Sequence, residues 1–145
     1  MTLRQATLAD SEFLFRLRND EATRTNSFSP QMITTAEHEE WLRERLAAPE
    51  HCRLYIAEVD GQPVGSARID LWPGAWSEVS ATVDPKHRGY GYGNLIVELL
   101  MQEVASLGVK RVTAKVRGFN VPSLRMFLNA GFVPATHVIR LERQS

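Results

Sequence analysis

Val83-Asp84-Pro85-Lys86-His87-Arg88-Gly89-Tyr90-Gly91-Tyr92-Gly93-Asn94 is the stretch on which the fold turns. Before it runs a strand-like series, Trp76 to Val83. Behind it starts an apolar helical pattern of Leu95, Ile96, Leu99, Leu100, Val104 and Leu107, stopped by Gly108. Strand, glycine loop and helix in that order aim several backbone N–H groups and a helix N-terminus at one point. Alternating glycines strip side chains from the inner wall, so an anion can touch the backbone directly. Arg88 adds a fixed positive charge at the loop's entrance. The expected ligand is a phosphate or pyrophosphate.

Two common phosphate loops are excluded by the letters. A Walker-type loop ends in Gly-Lys-Ser/Thr, whereas Gly93 is followed by Asn94 and Leu95. In the dinucleotide fingerprint G-x-G-x-x-G, Gly89 and Gly91 fit but the third glycine position holds Asn94. That fingerprint also wants an acidic residue about 20 positions on. The next strand, Arg111-Val112-Thr113-Ala114-Lys115-Val116, has none.

What fits is Arg/Gln-x-x-Gly-x-Gly/Ala, present as Arg88-Gly89-Tyr90-Gly91-Tyr92-Gly93. This resembles the acyl-CoA-binding loop of the GNAT N-acetyltransferase superfamily. The flanking Val83-Asp84-Pro85 and Leu95-Ile96 agree with that family's pattern. So does a second segment, Asn120-Val121-Pro122-Ser123, then Phe127, then Ala130-Gly131-Phe132, which is similar to N-x-x-S/A…Y…G-F. The resemblance spans residues 76 to 132, with a helix and a strand between its motifs.

Composition sets the outer bounds. A chain of 145 residues is expected to form a single domain over residues 1–145, and such a domain buries about two thirds of its unfolded surface. Lys and Arg number 17, as do Asp and Glu, so the formal charge is zero. That balance gives no reason to expect nucleic acid or an anionic membrane as partner. A single cysteine, Cys52, excludes an internal disulfide framework and suits a reducing cytoplasm. Met1-Thr2-Leu3-Arg4-Gln5 lacks an apolar signal core, and no apolar run approaches membrane-spanning length. His38, His51, His87 and His137 show no chelating spacing, so no metal is expected.

The rest of the chain reads as mixed α/β. Thr2 to Thr7 is a first strand, and Asp10 is placed to N-cap a helix through Phe13, Leu14 and Leu17. Arg18 to Pro30 is polar and irregular. Thr34 with Glu37 is a capping-box signature opening a helix that buries Trp41, Leu42 and Leu46, and Pro49 ends it. Leu54 to Val59 and Val64 to Leu71 are strands joined by the hairpin signal Asp60-Gly61. Trp72-Pro73-Gly74-Ala75 interrupts before the strand from Trp76. Asn120 caps a short helix with Pro122 in its first turn and Gly131 beyond its end. Val133 to Leu141 supplies a last strand or hairpin arm.

The resemblance implies a GNAT fold: a central, mostly antiparallel mixed sheet with a splay between the strands flanking the acyl-CoA-binding helix. It implies acetyl-CoA as co-substrate, held by the backbone near Ala81 and Val83, by Arg88, Gly89, Tyr90, Gly91, Tyr92, Gly93 and Asn94, and by Asn120 and Phe127. Acetyl transfer to an amine needs a proton removed, an oxyanion stabilised and a thiolate released. Glu78, alternating with Ser80 and Thr82 on one strand face, is the first candidate base, against the alternative of a solvated strand glutamate. Asp70, His38 and water are its substitutes. The family often has a tyrosine as acid where this chain has Phe127; Ser123, one turn earlier, could serve directly or through water, its other role being helix-start polarity. Leu17-Arg18-Asn19-Asp20, Arg24, Ser27-Phe28 and Thr35-x-x-His38-x-x-Trp41-Leu42 resemble the RimJ/RimL-like branch. Its compact members point to a nucleotide-linked amino sugar as acceptor, met by Asn19, Arg24, Phe28 and His38. A protein N-terminal α-amine is the alternative acceptor, and an inert CoA-binding module the alternative class. The chain is expected as monomer or homodimer.

Overall fold

Asp60 and Gly61 both take positive φ, 52° and 76°, the mirror-image turn whose twist matches the strands on either side. They join β2 (Cys52–Val59) to β3 (Gln62–Trp72), paired antiparallel from Cys52↔Asp70 to Val59↔Gln62. The computed structural model describes residues 1–20, 33–116, 121–134 and 140–144 of the chain. The proposed ligand contacts Arg24, Phe28 and Asn120 lie outside the described residues.

The remaining elements build outward from this hairpin. β1 (Thr2–Gln5) lies on the far side of β2, and β4 (Trp76–Val83) on the far side of β3. Two helices precede β2, α1 (Ser11–Asn19) and α2 (Thr35–Leu46). After β4 comes a 3-10 turn, Pro85–His87, and then α3 (Tyr92–Ser106). Next are β5 (Arg111–Lys115), α4 (Val121–Asn129), β6 (Val133–Pro134) and β7 (Arg140–Gln144). They form a seven-stranded sheet in the order β1-β2-β3-β4-β5-β7-β6. Among the described strands only β4 and β5 pair parallel, because α3 carries the chain back across the sheet between them. The expected α/β architecture is the one found, with β6 and β7 forming the last hairpin.

Each face of the sheet is covered. Cys52, Leu54 and Ile56 point from β2 into a cluster with Leu14 of α1 and Leu42 of α2. Tyr55 and Ala57, one step out of phase, join the larger cluster under α3 and α4. Burying one such aliphatic side chain contributes about 1.5–3 kcal/mol. The buried stripe of α3 is Ile96, Val97, Leu100, Met101 and Val104. It is rotated from the sequence expectation, and Leu95 is exposed.

Asp10 is also not the cap it was expected to be. Its side chain makes no capping bond to α1; it accepts instead from Arg4 at 2.7 and 2.9 Å and from the Thr7 N–H at 2.8 Å. The Arg4 hydrogen bonds hold its carboxyl below the usual range. The Thr34–Glu37 box forms as expected, the Thr34 hydroxyl oxygen accepting from the Glu37 N–H at 3.2 Å. Among the described residues no helix is long and apolar enough to cross a membrane.

Candidate active site

The β4–β5 ladder runs from Trp76↔Arg111 to Val79↔Ala114 and stops, while β4 continues to Val83 with, among the described residues, only β3 paired to it. A notch therefore opens along Ser80 to Val83. The direction of the free backbone groups follows from one bond. The Asp84 N–H donates to the Val64 carbonyl at 2.8 Å, and antiparallel pairing alternates, so Thr82 and Ser80 also turn their backbone groups to β3. Ala81 and Val83 turn theirs the other way, into the notch.

At the end of the notch stands the glycine loop. Gly91, at φ 77°, is the N-cap of α3, and Gly89 has φ 88°. A Cβ built on either would meet nothing within 4 Å, so open space borders the loop at both positions. The first turn of α3 carries no acidic residue, and its N–H groups lack helical partners. This arrangement fits the pyrophosphate end of an acyl-CoA, with Ala81 and Val83 available to its amide-bearing arm.

The loop is anchored from both sides. Buried Asp84 accepts from Arg16 Nη1 at 3.1 Å and Nη2 at 2.9 Å, and from the Lys86 N–H at 3.2 Å. The Arg16 hydrogen bonds, ahead of burial, hold its carboxyl below the usual range. Gly93 lies so near Met126 of α4 that any Cβ would collide with its sulfur. Asn94 Oδ1 accepts from Asn129 Nδ2 at 3.4 Å, a second tie to α4. Tyr90 and Tyr92 stack with ring centroids 5.5 Å apart, Tyr90 outward.

On the opposite face of β4 a cleft of about 150 Å³ is lined by Leu14, Leu17, Arg18, Trp41, Leu54, Ser66, Ala67, Arg68, Ser80 and Thr82. Its floor is set by register: Ser66↔Thr82 and Arg68↔Ser80 are cross-strand pairs. The same short run of β4 thus offers backbone groups to the notch and hydroxyls to the cleft.

Several candidate residues take other positions. His38 is fully buried between Phe15 and Trp41, at 5.4 and 5.7 Å, so it cannot touch a ligand as expected. Burial first, and then Arg18, pushes its pKa below the ordinary value. Asn19 clamps the backbone of Ile33: its Nδ2 donates to the Ile33 carbonyl at 3.0 Å and its Oδ1 accepts from the N–H at 3.1 Å. Both ends of that amide are occupied, which leaves it poorly suited to ligand recognition. Asp70, a substitute base, is ion-paired to Arg68 at 3.1 Å and Arg45 at 3.4 Å. Phe127 packs edge-on to Phe132 in the core, 1% exposed. Glu78 is half-buried, paired with Asp70 and Thr113 in register, next after Ser80 on the cleft's face. Ser123 is half-buried on α4.

Arg18 and Arg68 line the cleft without having been picked as ligand contacts from the sequence. The available signal was alternation: Ser66, Arg68 and Asp70 share a face of β3 with polar pairs on β4. Among the described residues no group of three or more His, Cys, Asp or Glu could hold a metal ion.

Comparison with known proteins agrees with this geometry. A Bacillus subtilis protein named provisionally as a phosphinothricin acetyltransferase is 28% identical over 139 residues, covering 91% of this chain and 83% of that one. The crystal structure of ribosomal-protein-alanine N-acetyltransferase from Brucella melitensis superposes with TM-score 0.85 at 21% identity, covering 100% of both chains. Spermidine N-acetyltransferase from Vibrio cholerae, solved with CoA and spermine, gives 0.89 at 17% identity, covering 99% of this chain and 94% of that one. The profile of the acetyltransferase (GNAT) domain matches residues 1–133, and the chain belongs to the GNAT acetyltransferase family.

Proposed function

We propose that the chain transfers an acetyl group from acetyl-CoA, lying in the notch, to a primary amine of a small molecule in the cleft. The observation that carries this reading is the shared run Ser80–Val83, in which the Ala81 and Val83 backbone groups border the notch and the Ser80 and Thr82 side chains floor the cleft. Bound there, acetyl-CoA would supply an acetyl group activated as a thioester. The Glu78 carboxylate takes a proton from the acceptor amine. The Val83 N–H, turned into the notch, stands ready to stabilise the carbonyl oxygen as it gains negative charge. The Ser123 hydroxyl, directly or through water, gives a proton to the departing sulfur.

A cleft of about 150 Å³ suits the head of a small acceptor better than the open groove a protein N-terminus needs. A nucleotide-linked amino sugar is the acceptor we place first, its nucleotide lying outside the enclosed space. The test is thiol release from acetyl-CoA across nucleotide-linked amino sugars, free amino sugars, amino acids and N-terminal peptides. Glu78→Gln should lower kcat about 10²–10⁴-fold and leave acetyl-CoA binding intact. Tight CoA binding without turnover on any amine would make the chain an inert CoA-binding module instead. Failure to bind CoA at all would end the reading.

A further inference from the structure

The cleft has a charge character that bears on its acceptor. Of its lining residues, Arg18 and Arg68 are cationic and none is Asp or Glu, Glu78 lying one step beyond Ser80 on the same face of β4. Arg68 is compensated from along its own strand, Nε lying 3.1 Å from Asp70. Arg18 differs: no carboxylate forms an ion pair with it among the described residues, although its side chain is half-buried. Its guanidinium carbon instead lies 4.2 Å from the centre of the Trp41 ring, and Nη1 lies 3.4 Å from His38 Nδ1.

His38 fixes this posture. Its Nε2 is 3.1 Å from the Ser11 carbonyl, which can only accept, so Nε2 carries the proton and Nδ1 is left to accept from Arg18. A guanidinium has five N–H donors in one plane, and the histidine takes one of them. The guanidinium lies over the Trp41 ring at the wall of a cleft whose floor adds the hydroxyls of Ser80 and Thr82. A partly desolvated cation in such a setting calls for an anionic partner.

We propose that the acceptor carries, beside the amine that is acetylated, an oxyanion (a carboxylate or a phosphate) that Arg18 binds with Arg68 in support. This rests on the acetyl-transfer reading and narrows its substrate class. Arg18 makes a planar, two-pronged contact to the oxyanion, and Trp41 and His38 keep its orientation. Polyamines are disfavoured, since each added ammonium group would approach two guanidiniums.

The experiment compares kcat/KM for matched acceptors: amino acids against their carboxamides, amino-sugar phosphates against the free amino sugars, and spermine. The anionic member of at least one pair should lead by about 10- to 100-fold, chiefly through KM. The two pairs distinguish carboxylate from phosphate. Arg18→Gln and Arg68→Gln should erase that lead while the acetyl-CoA thermal shift stays as in wild type. Equal kcat/KM within both pairs, or a lead for spermine, would overturn the inference. If no amine turns over, the acetyl-transfer reading is what fails. Trp41 fluorescence under titration with glucosamine 6-phosphate and with glycine then decides the charge assignment. A saturable change lost in Arg18→Gln supports it, and no change with either probe refutes it.

Discussion

Arg16 of α1 and Asp84, 68 positions later, meet in a two-pronged ion pair of 2.9 and 3.1 Å that ties the acceptor-side helix to the start of the glycine loop. Asp84 is buried while Arg16 keeps 43% of its side chain in solvent. Removing the arginine strands a buried carboxylate, although the Lys86 N–H still donates to it. Arg16→Gln should cost about 1–3 kcal/mol of stability. Arg16→Gln combined with Asp84→Asn should cost less than the two single changes added. Additive losses in chemical denaturation would show that the pair does not couple.

The loop itself is tested at Gly91. Acetyl-CoA at about 100 times its Kd should stabilise the wild type by about 2.7 kcal/mol, on the order of 5–10 °C in melting temperature. Gly91→Asp places a carboxylate and a strained φ of 77° where phosphate is to lie. It should abolish the shift, and a retained shift would move the phosphate site elsewhere.

Gly65 tests the geometry of the floor. A Cβ there would come within 2.5 Å of the Thr82 carbonyl oxygen and 2.9 Å of Ile96 Cδ1. The first neighbour is backbone and cannot swing aside, so β4 must shift just where notch and cleft meet. Gly65→Ala should lose about 1–3 kcal/mol and raise KM for donor and acceptor together. Unchanged kinetics would mean that β4 tolerates displacement.

Much of this was legible beforehand, for identifiable reasons. The Asp60-Gly61 turn, the Thr34–Glu37 box and the glycine loop are local, each set by residues within a few positions. The end of the β4–β5 ladder was not read from periodicity; only the family pattern implied it. Arg16–Asp84 was invisible because the letters carry no sign of a contact 68 positions apart. His38 reads as an acceptor contact because its segment resembles the RimJ/RimL-like branch. Yet it stands four residues before Leu42 on α2, on the buried stripe.

Acid should weaken the fold in stages. His38 has a folded pKa below its unfolded value, so its contribution is full above about 6.5 and is lost as pH falls toward the folded value. Asp84 and Asp10 are also depressed, so their contributions are present above about 3.9 and vanish as pH falls through their folded values. Melting temperature against pH should therefore show an early decline and a later, steeper one. His38→Gln should flatten the first and leave the second. A first stage unaffected by that change would assign it to another group.

Cys52 should be chemically silent. It is 3% exposed, and burial pushes its thiol up to about 11. Iodoacetamide at pH 7.5 should alkylate it at least about 100 times more slowly in the native chain than in urea. Cys52→Ala should leave acetyl transfer within about twofold of wild type. Rapid native labelling would show that the cluster between β2 and the two helices over it opens.

The unpaired run of β4 is, in the language of sheets, a bare strand edge, and such edges on a rim invite other chains to add themselves. This one lies inside the sheet. The gap has a blind end at Val79↔Ala114 and runs along Ser80 to Val83. A second polypeptide sliding in would jam before its register was satisfied, whereas a thin molecule with spaced amides can seat from the open side. The position that would be an aggregation hazard at the border thus becomes, in mid-sheet, a filter for the shape of what may enter.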